Sequence, residues 1–133
     1  MIVEMFTPRF SDTDALGHIN NASVATWFEE TRRPIFQLFV PDLDPKKWNL
    51  IIARVEVDYL AQIDYGSDVE IRTGLEKIGN SSMTVMQEIW LGNACKARGR
   101  AVMVHFDYST NSSSPIPPTI RETLLTHLMA DSD

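Results

Sequence analysis

Arg9-Phe10-Ser11-Asp12-Thr13-Asp14-Ala15-Leu16-Gly17-His18-Ile19-Asn20-Asn21 is a polar turn set between two regular elements. Before it, residues 2–10 read as a strand in which Val3, Met5 and Thr7 share a face. Pro8 has no N–H to give a ladder, so this strand belongs at an edge or ends in a bulge. After the turn, Val24, Trp27, Phe28, Thr31, Ile35, Leu38 and Phe39 recur at helical spacing and predict a helix from Ser23 to about Val40. Asn20, Asn21 or Ser23 can cap its first turn. Pro34 conflicts with an unbroken helix, because it removes one hydrogen bond and clashes with the preceding turn. A kink, or two shorter helices meeting near Arg33, is expected.

Downstream the period changes from helical to two. Pro41 to Trp48 is a loop. Residues 50–61, 68–77, 82–91 and 95–108 read as strands, separated by turns at Asp64-Tyr65-Gly66-Ser67, Gly79-Asn80-Ser81 and Gly92-Asn93. Short links between these four predict an antiparallel meander. Ser109 to Pro118 is too rich in Ser and Pro for regular structure. Thr119 to Met129 reads as a short helix capped by Thr119, with Ile120, Leu124, Leu125 and Leu128 inward, and residues 130–133 as a frayed tail. The order is strand, long helix, four strands, short helix. That is an α+β arrangement in which the sheet buries the long helix, since neither hides its apolar side alone.

The 133 residues suit one domain over 1–133. Twelve basic against eighteen acidic residues give a net charge of −6, which argues against nucleic acid as a partner. The lone Cys95 excludes an intrachain disulfide and a four-cysteine zinc site, and fits a reducing compartment. No apolar run reaches the roughly 20 residues needed to span a bilayer. No leader pattern follows Met1, so the expected location is cytoplasmic, without a membrane partner.

The turn carries the chemistry. Gly17 permits backbone conformations that other residues resist. The Asn20-Asn21 pair opens the helix, whose unpaired N–H groups and partial positive charge suit a carbonyl oxygen gaining negative charge. A carboxylate facing those donors across a carbonyl carbon is a hydrolytic pair, as base or nucleophile. The same residue types also serve as ordinary turn formers and caps, which on composition alone is the commoner use.

Phe10 to Asn21, followed by Trp27-Phe28-Glu29, resembles the signature of the 4-hydroxybenzoyl-CoA thioesterase-like family of hotdog-fold acyl thioesterases. The pattern is an aromatic, Asp-x-Asp, a nearby Gly, and a helix with an aromatic pair before Glu. Tyr59 to Asp68 is similar to the family's second-strand-to-turn segment. The resemblance implies a curved antiparallel sheet of five strands wrapped around a long central helix, with a short C-terminal helix. It implies hydrolysis of acyl-CoA by a homodimer or homotetramer whose site lies at the subunit interface. No cofactor is implied beyond the coenzyme A of the substrate. Asp14 matches the catalytic carboxylate, Gly17 the turn glycine, and the N–H near Asn21 the group that polarises the thioester carbonyl. Asp12 supports the turn.

His18 and Asn20 stand where many relatives carry a tyrosine or an apolar residue, and both are expected to line the substrate pocket. Asp14 and His18 also resemble the pair of hotdog hydratases, at a spacing one residue short. A non-catalytic acyl-thioester binding module is a third reading. Lys96, Arg98 and Arg100 alternate with Ala97 and Gly99 and form a candidate strip for the phosphates of coenzyme A. Glu29 and Glu30 are expected to pair with Arg32 and Arg33 rather than act as bases. No metal site is expected.

Overall fold

The computed structural model describes residues 1–129, so the tail reading lies outside the described residues. The long strands are β1 (Ile2–Phe6), β2 (Leu50–Tyr59), β3 (Val69–Ile78), β4 (Ser82–Leu91) and β5 (Ala94–Asp107). They form one antiparallel sheet in the order β1-β3-β4-β5-β2. A two-residue strand, β6 (Ser112–Ser113), pairs with β5, so the Ser-rich segment is not wholly irregular.

Only β3, β4 and β5 make the expected meander. β2 pairs with β5 and takes the far edge, because β1 already holds the free side of β3. The chain from β2 to β3 therefore crosses three strand spacings, roughly 14 Å at about 4.8 Å each. Residues 60–68 have ample reach for this, roughly 30 Å when extended. The crossing carries them beneath the polar turn.

β1 alternates as expected, with the sense of its faces now set. Val3 and Met5 stand opposite Arg72 and Glu70 on the outer face and are exposed. Phe6 faces inward and packs on Trp27 with ring centroids 5.1 Å apart.

The central helix is two pieces, α1 (Asn21–Thr31) and α2 (Arg33–Phe39), joined at Arg32, with Pro34 in the first turn of α2. Ile35 N–H turns to Arg32 O at 2.8 Å, so Thr31 O loses its usual donor. Thr73 Oγ1 reaches that carbonyl at 3.5 Å. Gln87 Nε2 donates to Phe28 O, Thr31 Oγ1 and Thr73 Oγ1 at 3.0, 2.8 and 3.1 Å. Thr31, Arg32, Thr73 and Gln87 are all buried. This polar group lies between two apolar clusters. One gathers Trp27, Phe28, Val69, Ile71 and Ile89 around α1; the other gathers Ile35, Phe39, Leu75, Val85 and Met103 around α2.

The last helix, α3 (Pro118–Leu125), starts on Pro118 with Pro117 in the cap place, so Thr119 is no cap. Proline's preset φ suits a first helical position. Leu124 is fully buried, but Leu125 and Leu128 are half exposed, against expectation. The helix ends at Leu125, and the chain then bonds to β3 through Leu75 N–H to His127 O at 2.9 Å and Met129 N–H to Leu75 O at 2.7 Å.

Candidate active site

The polar turn is a closed loop. Thr13 and Ile19 bridge its ends, and Asp14 N–H donates to His18 O at 2.7 Å. Gly17 sits at φ +81°, a conformation a side chain would strain. Asp14 Oδ1 accepts from Leu16 N–H at 2.8 Å and His18 N–H at 3.1 Å. The Leu16 N–H above all, with that of His18, holds the exposed Asp14 carboxyl below the usual carboxylate range. Its Oδ2 has no hydrogen bond among the described residues. Asp14 is therefore an ionised carboxylate, aimed by the backbone, with one oxygen unspent.

Asp12 does different work. It is 3% exposed, and its carboxylate accepts from Arg9 N–H at 2.8 Å while its carbonyl accepts from Asn20 N–H at 2.8 Å. Burial alone would raise its pKa, but the Arg9 backbone and side chain outweigh that and lower it. It ties the turn to the helix start. There Asn20 caps α1, its Oδ1 accepting from Ala22 N–H at 2.9 Å. The Asn21 N–H makes no hydrogen bond among the described residues, while the Asn21 carbonyl accepts from Tyr59 Oη at 3.3 Å.

Asp14, His18, Asn20, Asn21, Tyr59 and Lys96 line one cavity of about 460 Å³, a size that suits a small-molecule site. Its floor comes from the crossing segment. Ile19 N–H donates to Ile63 O at 2.8 Å, and Tyr65 N–H to Gly17 O at 3.3 Å. His18 Nε2 lies 3.6 Å from Asp64 Oδ1, and His18 Nδ1 is buried without a partner. Sequence reading treated Asp64 only as a turn former and missed Gln62 and Ile63 as lining. Their signal was the similarity of Tyr59 to Asp68 to a family segment.

The cationic strip divides. A bulge sets Ile89 opposite Ala97 and Trp90 opposite Cys95, so Lys96 leaves the alternation and joins the cavity lining. Arg98 and Arg100 remain on the outer sheet face. Arg98 pairs with Glu88 at 2.9 Å and Arg100 with Glu76 at 3.0 Å. Glu30 pairs with Arg33 at 2.8 Å. Glu29 lines neighbouring hollows, not the Asp14 cavity. Cys95 is half-buried; burial first, then Glu88, pushes its thiol pKa up, away from a nucleophile's needs.

The curved sheet, the enclosed helix and the polar turn at its head define a hotdog domain of the thioesterase type. Residues 8–124 match the family described as the Thioesterase-like superfamily, and the chain belongs to it. A solved structure described as a predicted thioesterase from Bacillus stearothermophilus superposes with a TM-score of 0.92 at 46% identity, covering 98% of each chain. A thioesterase from Thermus thermophilus, solved with coenzyme A and zinc, gives a TM-score of 0.80 at 29% identity over 93% of this chain and 92% of that one. YsmA of Bacillus subtilis strain 168, an uncharacterized protein, is 30% identical over 119 residues, 88% of this chain and 80% of its own length.

Proposed function

We propose that the protein hydrolyses acyl-CoA thioesters, in the 4-hydroxybenzoyl-CoA thioesterase-like branch of its superfamily. One observation carries the reading: Asp14, ionised and with one carboxylate oxygen free, and Asn21, with an unspent N–H, line the same cavity. Asp14 takes a proton from water, and the water oxygen attacks the thioester carbon. The oxyanion accepts a hydrogen bond from Asn21 N–H. The C–S bond then breaks, and coenzyme A leaves with the proton as free thiol, beside the free acid. Attack by Asp14 itself, through an anhydride that water opens, has the same balance. Transfer of ¹⁸O from water into the Asp14 carboxylate separates the two routes. A positioned base supplies about 10²- to 10⁴-fold and an oxyanion donor about 10²- to 10³-fold.

Coenzyme A as carrier is supported by the Thermus thermophilus relative solved with it. No metal or redox group enters this reaction. The active form is a homodimer or homotetramer. β2 is a sheet edge, and Ile52, Val55 and Tyr59 along it stay exposed beside the helix, as an interface between copies requires. The single cysteine suits a cytoplasmic, reducing setting.

The test is a panel of acyl-CoAs monitored for free thiol. Turnover should fall at least about 10²-fold in Asp14→Asn with the fold intact. Undiminished thiol release in that variant would refute the assignment. His18, which lines the same cavity and has an unpartnered Nδ1, favours a second reading as an enoyl-CoA hydratase. Hydration of an enoyl-CoA that is lost in His18→Ala would establish it. Acyl-CoA binding without turnover would leave a binding module.

A further inference from the structure

A second hollow of about 180 Å³ lies one step further along the groove between α1 and β2. Val24, Tyr59 and Ala97 wall the Asp14 cavity; Phe28, Val57 and Gly99 wall this one. Arg32 lines it and is 5% exposed. Arg32 Nη1 donates to Gln87 Oε1 at 3.2 Å. Its Nε is buried without a partner, and its Nη2 makes no hydrogen bond among the described residues. Nε–H and Nη2–H form one edge of the guanidinium, which binds a carboxylate through two parallel hydrogen bonds. Among the described residues no acidic side chain takes that edge. Burial pushes the Arg32 pKa down, and the charge of Glu29, which lines the same hollow without forming an ion pair, offsets that only in part. Glu56 and Arg100 border the hollow from β2 and β5, and the Arg100 side chain is held by Glu76 on the outer sheet face.

We propose that this hollow is the far end of the acyl site, and that Arg32 selects acyl groups ending in a carboxylate. The inference rests on the hydrolase reading and names its substrate class: coenzyme A thioesters of dicarboxylic acids. Asn21 and Arg32 are about 16 Å apart along the helix axis, at about 1.5 Å per residue. Helical side chains lean toward the N-terminus, which brings the guanidinium back by about one turn. The span left is roughly 10 Å, matching a chain of about six to eight carbons.

Wild-type protein is assayed with adipoyl-CoA against hexanoyl-CoA and suberoyl-CoA against octanoyl-CoA. The carboxylate-ended member of each pair should show kcat/KM higher by about tenfold or more. Glu29→Gln removes a negative charge facing the hollow and should widen that ratio through KM. Arg32→Met should erase it; the wild-type and Glu29→Gln comparisons stand even where Arg32→Met fails to fold. Equal or inverted selectivity in the wild type, with hydrolysis intact, overturns the inference and leaves the hydrolase. Sedimentation of Arg32→Met as monomer, together with absent wild-type selectivity, would give the edge to a carboxylate of a second copy and overturn it as well. No hydrolysis of any of the four thioesters, with thiol released from other acyl-CoAs of the panel, overturns this inference alone; no thiol release from any acyl-CoA overturns the hydrolase reading with it.

Discussion

Gln87→Leu tests whether the break at Pro34 depends on the buried polar group beneath it. Leucine nearly fills the same space, so the cavity contribution is small. Phe28 O keeps a donor, Arg32 N–H at 3.1 Å, and the Thr31 hydroxyl still donates to Trp27 O at 2.8 Å. What is lost outright is the acceptor of Arg32 Nη1, a charged donor that stays buried. A hydrogen bond to a charged group contributes about 1.5–3 kcal/mol, and a neutral one about 1 kcal/mol. The expected destabilisation is therefore about 3 kcal/mol, or roughly 10 °C in Tm for a chain of this length. Urea unfolding, followed by the fluorescence of buried Trp27 at one protein concentration, measures it. A shift below about 1 kcal/mol with an unchanged denaturant slope would refute the reasoning, because Arg32 would then be satisfied without Gln87.

The pH dependence follows from the direction of the carboxylate shifts. Asp14 is depressed in the folded protein, chiefly by Leu16 N–H, so its basic form persists as pH falls and is lost only through that lowered pKa. Accordingly, kcat/KM should carry no carboxylate limb between about pH 7 and pH 5; a pH–rate profile with such a limb would reassign the base. Asp12 is also depressed, so its contribution to stability is present above the unfolded value and lost as pH falls through the folded one. Acid unfolding followed by circular dichroism should therefore begin below about pH 4, and begin earlier in Asp12→Ala. Gly99→Ala would set a Cβ 2.8 Å from the Phe28 ring. It should cost about 1–3 kcal/mol by overpacking, and Phe28→Leu should rescue much of that loss in a double-mutant cycle.

What the sequence made legible was local. The helical stripe from Val24 to Phe39, the break forced by Pro34 and the period-two runs of β3 to β5 each follow from side-chain spacing or backbone chemistry, and each stands where expected. The place of β2 was not legible. A strand's own pattern says which face it buries but not which neighbour it pairs with, and β1 had claimed the edge beside β3. The same non-local step hid Gln62, Ile63 and Asp64, which reach the cavity only because the chain crosses beneath the turn. Lys96 and Arg98 looked alike until a bulge separated them.

Thr73 and Gln87 show how one residue sets requirements on distant ones. Both occupy inward strand positions, among Val69, Ile71, Leu75, Val85 and Ile89, where apolar residues would be the rule. Pro34 breaks the helix, Ile35 N–H turns to Arg32 O, Thr31 O loses that donor, and a buried carbonyl without a partner is costly. Thr73 donates to that carbonyl and Gln87 to the Thr31 hydroxyl, while Gln87 Oε1 holds Arg32 by one nitrogen, Nη1. The break is thus what leaves a guanidinium edge free beside the groove that begins at Asp14. The helix break and the candidate specificity site share one cause, so a helix repaired by Pro34→Ala should draw Arg32 toward a regular helical position. It should change selectivity among acyl-CoAs more than the rate for the best of them. A uniform loss across the panel would separate the two.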